Sequence, residues 1–447
     1  MPTLSTLAAD LAHGRTTSRA LVEHCLALIA APTGEGSRVF LKVAAERALM
    51  DADRRDRERA AGHAPSPYAG IPISLKDLFD REAEVTTAGS TLLRDANPAT
   101  RDAPSVARLI AAGFVPIGRT NMTEFAFSGL GLNRHYGTPA NPFDRATRRI
   151  PGGSSSGAAV SITDGMAFGA LGTDTGGSCR IPAAMCGIVG FKPTARRVPL
   201  AGALPLSPSL DSIGPLANSV ECCAILDAVL AGEPIEPLVS LPLRGLRFAV
   251  PQSLVLDDMD PHVARTFERT LARIAAQGAE VVAMPLAQLL ELPALNHKGG
   301  LAPPEAYATH RDWIARHAAA YDPRVLARIL RGKEQDAADY IQLLRARTSF
   351  IERIATELMS FDAMLMPTVP IVAPPIALLD DDEVYARVNA LALRNPSIVN
   401  FMDGCAISIP CHAPPEAPVG LTLATLGGRD PQLLAMAASV ERALRAG

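Results

Sequence analysis

The stretch AAVSITDGMAFGALGT, residues 158–173, constrains the fold more than any other part of the chain. It is apolar and rich in small residues, and glycine-rich runs border it: PGGSSSG at 151–157 and TDTGGSCR at 173–180. A flexible linker stays polar on both sides of its glycines. Here a pattern suited to a buried helix and then a strand comes at once, so both glycine-rich runs are loops embedded in a core. Ser154 and Ser178 stand 24 residues apart, a gap that fits one helix and one strand bringing the two loops together.

The rest of the chain repeats this strand and helix rhythm. Residues 4–12 and 18–31 read as short amphipathic helices broken at Gly14, with Thr17 as N-cap of the second. Residues 44–62 read as a charged surface helix. YAGIPISLKDLFD, 68–80, alternates Ile71, Ile73 and Leu75, the signal of a strand turned toward one face. Residues 105–125 read as helix, Gly113, strand and loop, and 244–284 as strand, helix and strand. Residues 323–360 look helical, with Ile341, Leu344, Ile351, Ile354 and Leu358 as the apolar stripe. The pattern predicts an α/β fold: a single large domain with a mixed, mostly parallel central β-sheet covered by helices on both faces.

Composition removes several function classes. The 447 residues are 48% hydrophobic and carry a net charge of -3, so no basic field attracts nucleic acid or an anionic membrane. Aromatic residues are only 4%, too few for extensive base-stacking platforms. No run of apolar residues is long enough to span a bilayer, and the N-terminus lacks the apolar core of a signal peptide. The seven cysteines show no C-x-x-C pair and the histidines no H-E-x-x-H spacing, so no metal site is expected and the thiols read as reduced. A soluble cytoplasmic protein is the expectation.

Three local features carry chemistry. Lys76 closes an apolar strand-like run. A lysine there either snorkels into water or is buried, and burial lowers its pKa until the neutral amine can act as a base. GGSSSG lacks the Gly-Lys-Ser/Thr of a phosphate-binding loop. In TDTGGSCR two glycines precede Ser178, so backbone N–H groups can converge on one point as an oxyanion nest. Amide hydrolysis needs a nucleophile, a base and donors for a tetrahedral oxyanion. No histidine sits within either run, so neutral Lys76 is the candidate base, with a serine of GGSSSG passing the proton.

With these residues in place, the chain resembles the amidase signature family. The resemblance rests on GIPISLKDLFD, GRTNMTEFAFSGLGLNRHYGTPANPFD, PGGSSSGAAV, GTDTGGSCRIPAAMCGIVGFKPT, DAMLMPTVP and APVGLTLATLGGRDPQLLAMAASVE. It covers most of residues 1–447 as one domain, with a catalytic core at about 68–215 and a more variable helical excursion at about 285–360. It implies that Ser178 is the acyl-forming nucleophile, that Ser154 is the bridging serine after a cis peptide bond, and that Lys76 is the base. Backbone N–H groups of Thr175, Gly176, Gly177 and Ser178 would form the oxyanion hole and bind substrate. Ser155, Asp174 and Arg180 would hold lysine, loop and nucleophile in place. Ser156 stands where the family often has glycine, away from the catalytic positions, and Cys179 reads as packing.

The implied reaction is hydrolysis of a carbon–nitrogen bond through a seryl acyl-enzyme, without metal or other cofactor. The implied partners are water and a small amide, carbamate or urea-type molecule, with no nucleic acid and no membrane; a homodimer is the working expectation. Two readings within the family stay open: the glutaminase (A) subunit of a tRNA-dependent amidotransferase, and a carbamate or biuret-like urea hydrolase. A rival outside it makes Ser155 the nucleophile of a G-x-S-x-G elbow, with His297, His310, His317 or His412 as base. Residues 125–133 are expected to line the site, and the excursion, with Trp313 and Tyr321, to cover its entrance.

Overall fold

Pro72–Lys76 forms a strand in which all five residues are buried. Successive strand side chains point to opposite faces, so burial at every position means that both faces are covered. The alternation of Ile71, Ile73 and Leu75 therefore does not mark one buried face and one wet face. Strands at Val115–Thr120, Ala170–Asp174 and Ser212–Ala217 are likewise buried throughout. They belong to the middle of a sheet sandwiched between helices.

The computed structural model describes residues 1–445. In chain order the strands are β1 Phe40–Val43, β2 Pro72–Lys76, β3 Val115–Thr120, β4 Ala170–Asp174, β5 Val189–Lys192 and β6 Ser212–Ala217. They continue with β7 Arg247–Pro251, β8 Glu280–Met284, β9 Ala363–Pro367, β10 Cys405–Pro410 and β11 Gly420–Thr425. All join one 11-stranded sheet in the order β1-β3-β2-β4-β6-β5-β10-β11-β9-β7-β8. The mixed sheet matches expectation, but its balance is the reverse of mostly parallel. β2 pairs parallel with β3 and β4, and β7 with β8 and β9. The other six pairings are antiparallel. The reason is insertion. A strand–helix–strand rhythm sets β4 and β5 in the same direction, but β6 lies between them and runs against both. β10 sits in the same way between β5 and β11. Local pattern shows the crossover and not the strand placed inside it.

Helix boundaries obey local chemistry. Thr17 caps Ser18–Ala30 by accepting from Ala20 N. Ser156–Thr163 is buried along most of its length because its residues are small: a Cβ on Gly157 would lie 2.6 Å from the Val39 carbonyl oxygen. Between β8 and β9 lies the expected excursion, built around the helices Ala302–His317, Pro323–Leu330 and Ala337–Leu358. The expected continuous helix over 323–360 is broken after Leu330, and Asp336 restarts it with a capping box. The buried face of the second piece is Leu343, Phe350, Ile354 and Leu358, while Ile341, expected in the stripe, is 47% exposed. Ile341 and the buried residues share this one helix, but at about 100° per residue Ile341, two positions before Leu343, falls well round from the buried face.

β5 passes close beneath the turn after Ser178. A Cβ on Gly190 would stand 2.3 Å from the Cys179 carbonyl oxygen and 2.7 Å from Ala183 Cβ. Gly190→Ala is expected to destabilise the fold by about 1–3 kcal/mol through overpacking, read as a lower urea midpoint. An unchanged midpoint would show that the turn has room to move.

Candidate active site

β2, β3 and β4 run in the same direction, so their C-terminal ends share one edge of the sheet. Lys76 is the last residue of β2 and Asp174 the last of β4. Open α/β sheets place ligand sites at such an edge.

Lys76 is fully buried, which removes the snorkelling alternative. Its Nζ donates to Ser154 Oγ at 2.7 Å and to Thr173 Oγ1 at 2.8 Å. No carboxylate lies within ion-pair distance among the described residues. Burial pushes the ammonium down to about 8, against smaller upward pulls from Cys179, Asp174 and Asp211. A second fully buried lysine, Lys192, is also lowered to about 8, again by burial, but it donates to the carbonyls of Pro193 and Gly404. Carbonyls only accept. The hydroxyl partners of Lys76 can also give up a proton, so only Lys76 is placed to receive one.

Close backbone approach fixes the GGSSSG loop. A Cβ on Gly153 would lie 2.4 Å from Gly131 N, and Gly153 N donates to the Gly129 carbonyl at 2.8 Å. The peptide bond between Gly153 and Ser154 is cis. Thr123 N donates to the Ser154 carbonyl, so the loop is held on two sides. Ser155 is fully buried with its Oγ on the Thr173 carbonyl at 3.5 Å. Three of the four candidate elbow histidines are engaged elsewhere, His310 with Tyr321 Oη, His297 with the Ala294 carbonyl and His412 with Val419 N, and His317 is exposed at the end of the Ala302–His317 helix. Nothing brings a histidine to Ser155.

Asp174 organises the second loop. Its carboxylate accepts from Gly177 N at 2.9 Å, Cys179 N at 3.2 Å and Asn400 Nδ2 at 2.9 Å. Arg180 meets it with both Nε and a terminal nitrogen, at 3.0 and 2.9 Å. Burial alone would raise this carboxyl, but Arg180, Lys192 and Asn400 outweigh it and hold it at about 2. Gly177 has φ 123°, and a Cβ there would stand 2.5 Å from Pro396 Cβ. The loop is thus pressed between Asp174 and the Asp382–Phe401 helix. Because Gly177 N–H is engaged by Asp174, the expected nest narrows to its other N–H groups. No hydrogen bond joins Ser178 Oγ to Ser154 Oγ among the described residues. Cys179 points back into the core, its Sγ toward the Gly214 carbonyl at 3.5 Å.

Ser178, Thr175 and Gly176 open onto a cavity of about 1040 Å³. Phe127 and Ser128, from the 125–133 stretch, form part of its wall, as expected. Trp313 and Tyr321 do not line it. They pack with His310 on Phe125, whose ring centroid is 5.3 Å from that of Tyr321. The excursion reaches the cavity instead through residues 292–302 and the Pro323–Leu330 helix.

Sequence reasoning missed three residues of this arrangement. Thr173 was legible, since it opens the TDTGGSCR run one position before Asp174. Asp211 accepts from Thr175 Oγ1 at 2.5 Å, and burial pushes its carboxyl up to about 6. Asn400 bonds both Asp174 and Arg180 from more than 200 residues away. Neither has a local signal. No group of side chains suited to a metal ion occurs among the described residues, and no helix among them is long and apolar enough to cross a membrane.

A protein-family model described as amidase matches residues 20–434. The chain belongs to the amidase family. This amidase is 36% identical to the 2-amino-5-chloromuconic acid deaminase of Comamonas testosteroni, over 97% of this chain and 94% of that protein. It is 35% identical to the 1-carboxybiuret hydrolase subunit AtzE of Pseudomonas sp. (strain ADP), over 82% of this chain and 81% of that one. Among solved structures it is similar to a crystal structure of an amidase, with a TM-score of 0.88, 31% identity and 99% of each chain covered. The amidase is therefore an enzyme, a hydrolase of carbon–nitrogen bonds.

Asp174 is the buried anchor of its second loop. Asp174→Ala leaves Arg180 buried without its counterion, and is expected to cost about 3–5 kcal/mol, read by denaturant unfolding. A loss under about 1 kcal/mol would show that Arg180 does not depend on this carboxylate as its counterion.

Proposed function

We propose that the amidase cleaves a linear amide-type bond of a small molecule through an acyl-enzyme on Ser178, with Ser154 and Lys76 as proton relay and base. The observation that carries this reading is the 2.7 Å contact between Lys76 Nζ and Ser154 Oγ in a fully buried setting without a counterion. The names of the two relatives, a deaminase and a biuret-type hydrolase, support carbon–nitrogen cleavage on a small molecule rather than on a polymer.

The chemistry derives from the geometry. Neutral Lys76 takes the proton of Ser154 as Ser154 takes that of Ser178. Ser178 Oγ bonds to the substrate carbonyl carbon, and the π electron pair moves onto oxygen. Free N–H groups of the Thr175–Ser178 turn receive that oxyanion. On collapse the carbon–nitrogen bond breaks, and the proton held on Lys76 returns through Ser154 to the leaving nitrogen. Water then attacks the seryl ester, gives its proton to the same relay, and Ser178 regains a proton as the acid departs. The products are the acid and the amine or ammonia. The relay needs a link from Ser178 to Ser154, and catalytic hydrogen bonds commonly tighten only when substrate is bound.

Three outcomes are expected. Ser178→Ala abolishes hydrolysis and removes the acyl adduct that hydroxylamine intercepts, while Lys76→Met lowers kcat by a factor on the order of 10²–10⁴. The base must be neutral, so kcat/KM should rise with pH through a midpoint near 8, the value to which burial lowers Lys76. A flat profile across that midpoint would remove Lys76 from the role of base.

A further inference from the structure

The cavity above Ser178 carries four arginines on its wall. Three have protein acceptors. Arg324 meets Asp382 at 2.7 Å and the carbonyls of Leu379 and Asp380. Arg331 donates to the His297 carbonyl, and Arg394 to Asn395 Oδ1 and the Val255 carbonyl. Arg328 differs. Its Nε is buried without a partner, and no carboxylate lies within ion-pair distance of its guanidinium among the described residues. It stacks over the Phe127 ring, 4.9 Å from the centroid, and Phe127 itself lines the cavity beside Ser128.

The helix that bears Arg328 is anchored at its N-terminus. Asp322, which caps the helix bearing Arg328, donates its N–H to Glu124 Oε2 at 2.7 Å. Glu124 Oε1 also receives Ser90 Oγ at 2.6 Å and His135 Nε2 at 2.7 Å. Val325 and Ile329 pin the same helix into the core. Arg328 is therefore a pre-positioned cation, and a guanidinium stays charged at any ordinary pH. Arg328 is half-buried with its Nε sealed from solvent; a charge so placed without a counterion favours a ligand that supplies one, and the planar fork of arginine matches a carboxylate. Asn389 adds a donor on the same wall. Its Oδ1 accepts from Ser128 Oγ and Gly129 N, which leaves its Nδ2 for a ligand.

Among the described residues no carboxylate stands on the inner wall to neutralise a substrate ammonium. The cavity's carboxylates are Asp257 and Asp258, both exposed, and Asp382, which is engaged by Arg324 and 83% exposed. We infer that the amide cleaved at Ser178 carries a carboxylate and no ammonium group, with Arg328 as the anchor of that carboxylate. The inference rests on the reading of Ser178 given above and names the substrate class of that site.

The test compares half-amides of the straight-chain dicarboxylic acids, from malonamate to adipamate, with the neutral primary amides of equal chain length. Glutamine is set against glutaramate, which differs from it only by the ammonium group. Half-amides are expected to exceed their neutral counterparts in kcat/KM at the best chain length, and glutaramate to exceed glutamine. Arg328→Gln is expected to lower that acid-to-neutral selectivity by roughly 30-fold or more, the scale of a charge-assisted hydrogen-bonded pair, and Arg328→Lys to recover part of it. Calorimetry with the matching dicarboxylates on Ser178→Ala protein, with and without Arg328→Gln, reads the anchor without catalysis. Neutral amides preferred at every length, glutamine preferred over glutaramate, a selectivity unchanged in Arg328→Gln, or dicarboxylate binding that does not depend on Arg328 would each overturn the inference. Hydrolysis that survives Ser178→Ala would instead overturn the nucleophile assignment.

Discussion

The buried carboxylate of Asp174 is the interaction on which the site depends. It gathers two backbone N–H groups of the Ser178 turn, the guanidinium of Arg180 and the amide of Asn400. A buried ion pair in isolation adds little stability, because desolvation consumes most of the attraction. This one is embedded in further hydrogen bonds, and what it secures is geometry: a glycine turn pressed against the Asp382–Phe401 helix, with Ser178 at the cavity floor. Arg180 and Asn400 also bond each other, so loop, short helix and distant helix form one rigid unit.

Burial sets the chemistry of lysine, and partners decide its use. Lys76 and Lys192 are both fully enclosed and both pushed down to about 8. Their desolvation is alike, yet one faces two hydroxyls and the other two carbonyls. A lysine bound to carbonyls acts as a tie between segments whatever its protonation. A lysine bound to a serine hydroxyl can exchange a proton with it. The distinction lies in the acceptor atoms rather than in the shift.

Much of this was legible in the chain, and the boundary of legibility is physical. Glycines at 153 and 177 mark places where a Cβ would strike backbone or a packed side chain, and such requirements are written locally. Lys76 at the end of an apolar strand was visible for the same reason. Asp211, Asn400 and Arg328 were not, because each acquires its meaning from partners far along the chain. The sheet fails in the same place: strand and helix order was readable, while the insertion of β6 between β4 and β5 depends on long-range pairing. Within the excursion, the apolar stripe was centred too far toward Ile341, because the partners that bury Leu343 and Phe350 instead lie outside the helix in sequence.

The contacts that complete the site also set when it exists. Lys76, Ser154 and Ser178 all leave the ribosome in the first half of the chain, whereas Asn400 emerges 220 residues after Arg180. Synthesis is vectorial and domains assemble as units. A nascent chain that already holds Lys76, Ser154 and Ser178 still lacks the amide that steadies the Ser178 turn and the helix that walls the cavity. The ordered Ser178 turn is thus deferred until Asn400 has emerged, and a product truncated before that residue carries Lys76, Ser154 and Ser178 without the frame that holds them.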